Sequence, residues 1–186
     1  MKVIEKYLEN MISLDRDVKV KVNVAAAVII RDIKGEREVF LIQRAKDDHW
    51  PLHWEFPRGK CRSDEKMSRC LKREIYEETK LKIKPIKYLG KFEYYADKGE
   101  RKSTQYNFLC TLDPPGQEII LSSEHRRYKW VSTAGEIELL VNAGEMKRTL
   151  LKALDGDHKL VDYPDDTDLE SVEKIEETLK RLWSRR

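Results

Sequence analysis

Hydrophobic positions change period several times along the chain, and each change predicts an element. Val3, Ile4, Tyr7, Leu8, Met11 and Ile12 recur at helical spacing, which predicts an amphipathic helix over residues 1–17. Val18, Val20, Val22 and Val24 then alternate with charged or polar partners, the period of a half-buried strand. The run continues into Ala-Ala-Ala-Val-Ile-Ile, as in a strand buried on both faces. A turn at Lys34-Gly35 leads to a second strand ending near Arg44. Residues 45–62 carry Pro51, Pro57 and several aromatic side chains without a period, and predict a structured loop. A helix is expected over 63–79, with Ser63 as its cap and Asp64 and Glu65 at its positive end. Alternating strands follow over 81–96, 102–112 and 125–131, with a turn at Asp113-Pro114-Pro115-Gly116. Helical patterns over 133–154 and 167–184, joined by a polar linker, close the chain. The interleaving predicts a mixed α/β domain.

Composition narrows this picture. The chain has 186 residues, enough for one ordinary domain, and 40% are apolar. Lys and Arg number 37 against 34 Asp and Glu, so the net charge of +3 is too small to draw nucleic acid by bulk attraction. The cysteines Cys61, Cys70 and Cys110 form no zinc-ligand spacing and suit reduced thiols in the cytoplasm. No apolar run approaches the roughly 20 residues that span a bilayer, and the charged opening segment is unlike a secretory signal. The expectation is a cytoplasmic protein with no membrane partner.

The helix over 63–79 has a feature that packing does not explain. Met67, Leu71 and Ile75 form an apolar stripe, and Glu74 and Glu78 continue it with Glu77 alongside. Carboxylates there face the packed side, repel one another and approach the negative end of the helix dipole. A hard divalent cation reverses all three penalties by demanding clustered oxygen ligands. The last helical stretch is a control: Glu170, Glu176 and Glu177 each have Lys174, Lys180 or Arg181 four residues later, an ordinary surface pattern.

Gly59, Glu65, Arg73, Glu74, Ile75, Glu77, Glu78 and Leu81 match in register the box of the Nudix (MutT-like) hydrolases, which this segment resembles. Lys80 stands where that box has its second glycine, which puts the turn after the helix in question. The resemblance implies an α/β fold, a Nudix-type α/β/α sandwich around a mixed β-sheet, with extra N- and C-terminal helices. It implies a single domain over 1–186, with a core of about 18–155 and an extension over 156–186. It further implies Mg²⁺ or Mn²⁺ held by Glu74, Glu77, Glu78 and the Gly59 carbonyl, with Glu74 also a candidate proton acceptor. Arg73 and Glu65 would form the supporting pair.

The expected reaction is cleavage of a phosphoanhydride bond in a nucleoside diphosphate-linked compound. Arg44, Arg58 and Lys60 are candidates for the phosphates, against the alternative of solvated surface charge. Trp54 and Trp50 are candidates for stacking on a base, or for packing the loop. The stretch Lys102–Cys110 followed by Glu124-His125 resembles asymmetric dinucleoside tetraphosphate hydrolases, which implies Lys102 and Tyr106 on the phosphate chain and Glu124 as ligand or base. His125 itself reads as a packing histidine. Dinucleoside polyphosphates are therefore the first substrate expectation. Nucleoside triphosphates and capped RNA are alternatives, as is a non-catalytic nucleotide-sensing module. The terminal helices make a homodimer a further candidate.

Overall fold

The computed structural model describes residues 18–48, 50–136 and 140–156, together with positions 174, 177 and 181. The helix expected over 1–17 lies outside them, as does most of the stretch 167–184. The exposed pair Arg181–Glu177 at 3.9 Å is the four-residue spacing read as ordinary surface patterning.

Among the described residues, seven strands form one sheet: β1 (Val20–Ile33), β2 (Glu36–Arg44), β3 (Trp54–Glu55), β4 (Arg58–Lys60), β5 (Ile83–Ala96), β6 (Arg101–Leu112) and β7 (His125–Val131). The helices α1 (Met67–Thr79) and α2 (Ala143–Asp155) accompany them. The main path runs β3-β2-β1-β6-β5, with β4 paired to β1 and β7 to β2. β1 and β6 run parallel from Val20↔Arg101 to Ile30↔Thr111, while β2 and β4 pair with β1 antiparallel. The sheet is mixed.

Both faces of β1 are buried, as its unbroken apolar run requires. Ala25, Ala27 and Ile29 pack under Met67, Leu71 and Ile75 of α1. Ala26, Val28 and Ile30 pack with Met146, Leu150 and Ala153 of α2. The result is the expected α/β/α layering.

Several local expectations are corrected. The loop over 45–62 contains β3 and β4, because Trp54 and Glu55 pair with β2 and Arg58–Lys60 with β1. Helix α1 starts at Met67, and Ser63 does not cap it: Lys66 is the N-cap and makes no side-chain cap bond. The preceding residues turn instead, with the Glu65 N–H donating to Arg62 O at 3.2 Å. The stretch 133–154 divides into a 3₁₀ turn at Ala134–Glu136 and α2. Leu140 bridges to Trp54, and Asn142 takes φ 49°, which interrupts a continuous helix. Cys61 and Cys70 form a disulfide, against the expectation of three thiols, because β4 exits directly over α1. Cys110 is a buried free thiol. No described helix is long and apolar enough to cross a membrane.

Candidate active site

A cavity of about 400 Å³ opens where β4 meets the C-terminal half of α1. Arg44, Arg58, Gly59, Lys60, Glu74, Glu78 and Glu124 line it, together with Trp50, Tyr94, Asp97 and Arg101. Helix α1 supplies the carboxylates because its stripe of Met67, Leu71 and Ile75 fixes its rotation on the sheet. Four residues apart, Glu74 and Glu78 then share one side.

Gly59 is required by that closeness. A Cβ at this position would lie 1.8 Å from Glu74 Oε2 and 2.0 Å from its Cδ. The Arg58 N–H donates to Glu78 Oε2 at 2.9 Å. Burial pushes Glu78 well above the ordinary carboxylate range, and the nearby charge of Glu55 adds to this. Burial also raises Glu74, despite the Arg73 guanidinium beside it.

Arg73 braces the loop against the helix. Its Nε donates to Glu65 Oε1 at 2.8 Å and its Nη2 to Lys60 O at 3.2 Å. Its Nη1 reaches Glu74 at 2.6 Å and Glu77 at 3.3 Å. These hydrogen bonds hold Glu65 below its usual range and raise the Arg73 guanidinium. The expected supporting pair of Arg73 and Glu65 is therefore formed, outside the cavity lining.

The three glutamates do not converge as expected. Glu77 is 54% exposed and turned toward Arg73, away from the cavity. Among the described residues, no three His, Cys, Asp or Glu side chains stand close enough to hold a metal ion. The donor chemistry nevertheless fits a hard divalent cation. Glu74 and Glu78 are carboxylates whose negative charge burial penalises, and they face a strand that a single methyl group would block.

Three expected substrate contacts lie elsewhere. Tyr106 is buried under α1 in the apolar cluster with Ala25 and Phe108, 3% exposed. Lys102 shares its face and pairs with Glu93 at 3.2 Å. Alternate residues of a strand point to opposite faces, so Arg101 rather than Lys102 faces the cavity, and Gln105 rather than Tyr106 reaches Arg58. Trp54 packs toward α2 beneath Lys129, whose Nζ is 4.6 Å from the ring, and Trp50 takes the rim.

Glu55 gave no signal in the sequence. It is 1% exposed and accepts from Arg44 Nη1 and from Arg58 Nε at 2.9 Å, while His125 Nε2 lies 3.3 Å away. Burial opposes its charge, but Arg58, His125 and Arg44 overcome this and hold it down at about 2. His125 is the packing histidine expected, with a carboxylate partner.

The NUDIX domain family model matches residues 21–153, and the chain belongs to that family. It is a pyrophosphohydrolase of nucleoside diphosphate-linked compounds, in a family that generally uses divalent metals. An 8-oxo-dGTP diphosphatase of Buchnera aphidicola subsp. Schizaphis graminum (strain Sg) is 29% identical over 109 residues, covering 59% of this chain and 75% of the relative. The MutT protein of Methanosarcina mazei Go1 superposes with a TM-score of 0.60 at 26% identity, covering 76% of this chain and 97% of its own. An Ap4A hydrolase of C. elegans, in a binary complex, gives 0.59 at 25% identity over 73% and 98% of the two chains.

Proposed function

We propose that this protein is a Mg²⁺-dependent hydrolase of nucleoside polyphosphates, with nucleoside triphosphates, oxidised ones included, as the leading substrate class. The observation that carries this is one cavity in which Glu74, Glu78 and Glu124 face the cations Lys60 and Arg101. Its volume of about 400 Å³ lies within the ordinary range for small-molecule sites. Likeness to the Buchnera 8-oxo-dGTP diphosphatase supports the triphosphate reading. Dinucleoside polyphosphates are the second reading, favoured by the likeness to the C. elegans Ap4A hydrolase. The placement of Lys102 and Tyr106 away from the cavity removes the residue-level support for it.

Glu74, Glu78 and the Gly59 carbonyl would hold the cation, and Mn²⁺ would substitute in the same oxygen set. When bound, it polarises the phosphoanhydride and lowers the pKa of water. Lys60 and Arg101 neutralise the phosphate oxygens. Glu74, which lines the cavity beside Glu78, is placed to take a proton from attacking water, and Glu124 lines the same cavity. Trp50, 44% exposed at the rim, offers a face for the base.

The test incubates the protein with Mg²⁺ and a panel of 8-oxo-dGTP, nucleoside triphosphates, diadenosine tetraphosphate, ADP-ribose and capped RNA. Glu78→Gln runs alongside. Wild type should turn over a triphosphate fastest, and the variant should lose about a hundredfold or more. Equal rates in both proteins, or none in either, would defeat the reading. A clear preference for diadenosine tetraphosphate would favour the second.

A further inference from the structure

Arg58 lines the cavity, yet its guanidinium is fully engaged by the protein. Nε and Nη2 meet Glu55 at 2.9 Å, and Nη1 meets Tyr94 Oη at 3.2 Å and the Gln105 side-chain oxygen. Its side chain is only 11% exposed. A phosphate would have to break these contacts to gain two donors from it. The useful group of Arg58 is instead its main-chain N–H, which donates to Glu78. The next residue is Gly59, whose bare Cα admits the Glu74 carboxylate.

We infer that Glu55 is a positioning residue that acts through Arg58 to set the β4 backbone against Glu74 and Glu78. The same carboxylate steadies two further walls. Arg44 bridges Glu55 and Asp48, and the adjacent Ala45 N–H donates to Glu124 O at 2.9 Å. His125, held between Glu55 and the Ser122 hydroxyl, fixes the residue next to Glu124. One buried charge thus ties together the segments that carry Glu78, Gly59 and Glu124. Such support behind cation-binding carboxylates typically changes metal affinity or turnover by ten- to a hundredfold.

This rests on the hydrolytic reading of the cavity, so the test includes a measurement that needs no turnover. Glu55→Gln should lower kcat about ten- to a hundredfold with KM within about threefold, because backbone placement and not phosphate binding is lost. Free Mn²⁺, followed by its electron paramagnetic resonance signal, should show about tenfold weaker binding to the variant. Glu55→Asp should recover part of both. Adding Glu55→Gln to Arg58→Gln should cost little more, since the two act as one unit.

If Glu55→Gln does not fold, Tyr94→Phe and Gln105→Leu release the other end of the same guanidinium. Each should lower kcat and Mn²⁺ affinity about fivefold, the worth of one hydrogen bond. A rise in KM at unchanged kcat, additive losses in the double variant, or unchanged Mn²⁺ binding in every variant would overturn the inference. Absence of Mn²⁺ binding in wild type would overturn it too. A wild type that binds Mn²⁺ but hydrolyses nothing would defeat the hydrolase reading alone.

Discussion

Replacing Gly59 by alanine adds one methyl group at the point where β4 and α1 come closest. The new Cβ would lie 1.8 Å from Glu74 Oε2, and an ordinary contact needs at least 3.4 Å, so the carboxylate must retreat by 3.4 − 1.8 = 1.6 Å. Glu74 Cδ at 2.0 Å and Cγ at 2.5 Å are too close as well, so the whole side chain beyond its Cβ must swing, which it can do without moving the helix. Stability should therefore change little. Overpacking costs about 1–3 kcal/mol when a core must yield, and the lower end applies here. The loss of glycine's freedom in the unfolded chain returns roughly 0.4–1 kcal/mol. Catalysis should not be spared, since a misplacement of about 1 Å in reacting groups can cost a hundredfold. Expected is a melting temperature within about 3 °C of wild type and kcat lower by about two orders of magnitude. Gly135→Ala is the control, because a Cβ there meets nothing closer than 4.0 Å. Steady-state hydrolysis and thermal melts on the three proteins check the argument. Gly59→Ala with kcat within threefold of wild type would refute it.

Further predictions concern the supports of the same site. Glu55 is held at about 2, below its ordinary 4.5, so folding favours its charged form; that stabilisation is complete above 4.5 and disappears as pH falls toward 2. Denaturant titrations at pH 6, 4 and 3 should show wild type losing about 2 kcal/mol more than Glu55→Gln over this range, and parallel curves would contradict it. Lys80 ends α1 in the left-handed region at φ 60°, which costs a non-glycine residue about 1–2 kcal/mol. Lys80→Gly should raise the melting temperature by about 1–4 °C after subtracting the glycine's entropy and the contact of Lys80 with Tyr76; a fall would show that the contact outweighs the strain. The Cys61–Cys70 bond closes a short loop with a sequence separation of 9, and its reduction should cost about 2–3 kcal/mol, read as a melting temperature lower by roughly 5–10 °C in dithiothreitol.

The chemistry of α1 was legible because its carboxylates contradict every local rule for a helix. Met67, Leu71 and Ile75 declare the packed face, and Glu74 and Glu78 on that same face have no explanation in packing. Gly59 was legible only through the resemblance to the Nudix box, which places a glycine ahead of them. The Arg73–Glu65 brace was also expected, and the structure forms it. Glu55 was not, because a glutamate in an aperiodic segment between Trp54 and Phe56 resembles any surface acid. Its role depends on Arg44, Arg58 and His125 arriving from β2, β4 and β7, and no local spacing records that. The disulfide escaped for a related reason. Cys61 and Cys70 look unpaired until the turn before α1 folds the end of β4 back over the helix.

The error at β6 has a more general cause. A strand exposed on one side announces its inward face by alternation, but Arg101–Leu112 is covered on both sides of the sheet. Tyr106 and Phe108 serve the core under α1, while Ser103, Gln105 and Asn107 form a buried polar row on the other face. A tyrosine and a lysine are plausible phosphate partners by chemistry, and nothing in the local pattern says which parity meets the cavity. Shifting the assignment by one residue reverses every side chain. Partners across the sheet resolve the parity: Val24 faces the cavity and pairs with Gln105, and Ala96, which also lines it, pairs with Arg101. Arg101 is therefore the cation on β6 that a phosphate entering this cavity can meet, with Asp97 competing for it at 2.6 Å. An anionic substrate that draws Arg101 away from Asp97 gains a charged partner without burying a new charge. Lys102, paired with Glu93 on the opposite face, cannot offer this without turning the strand over.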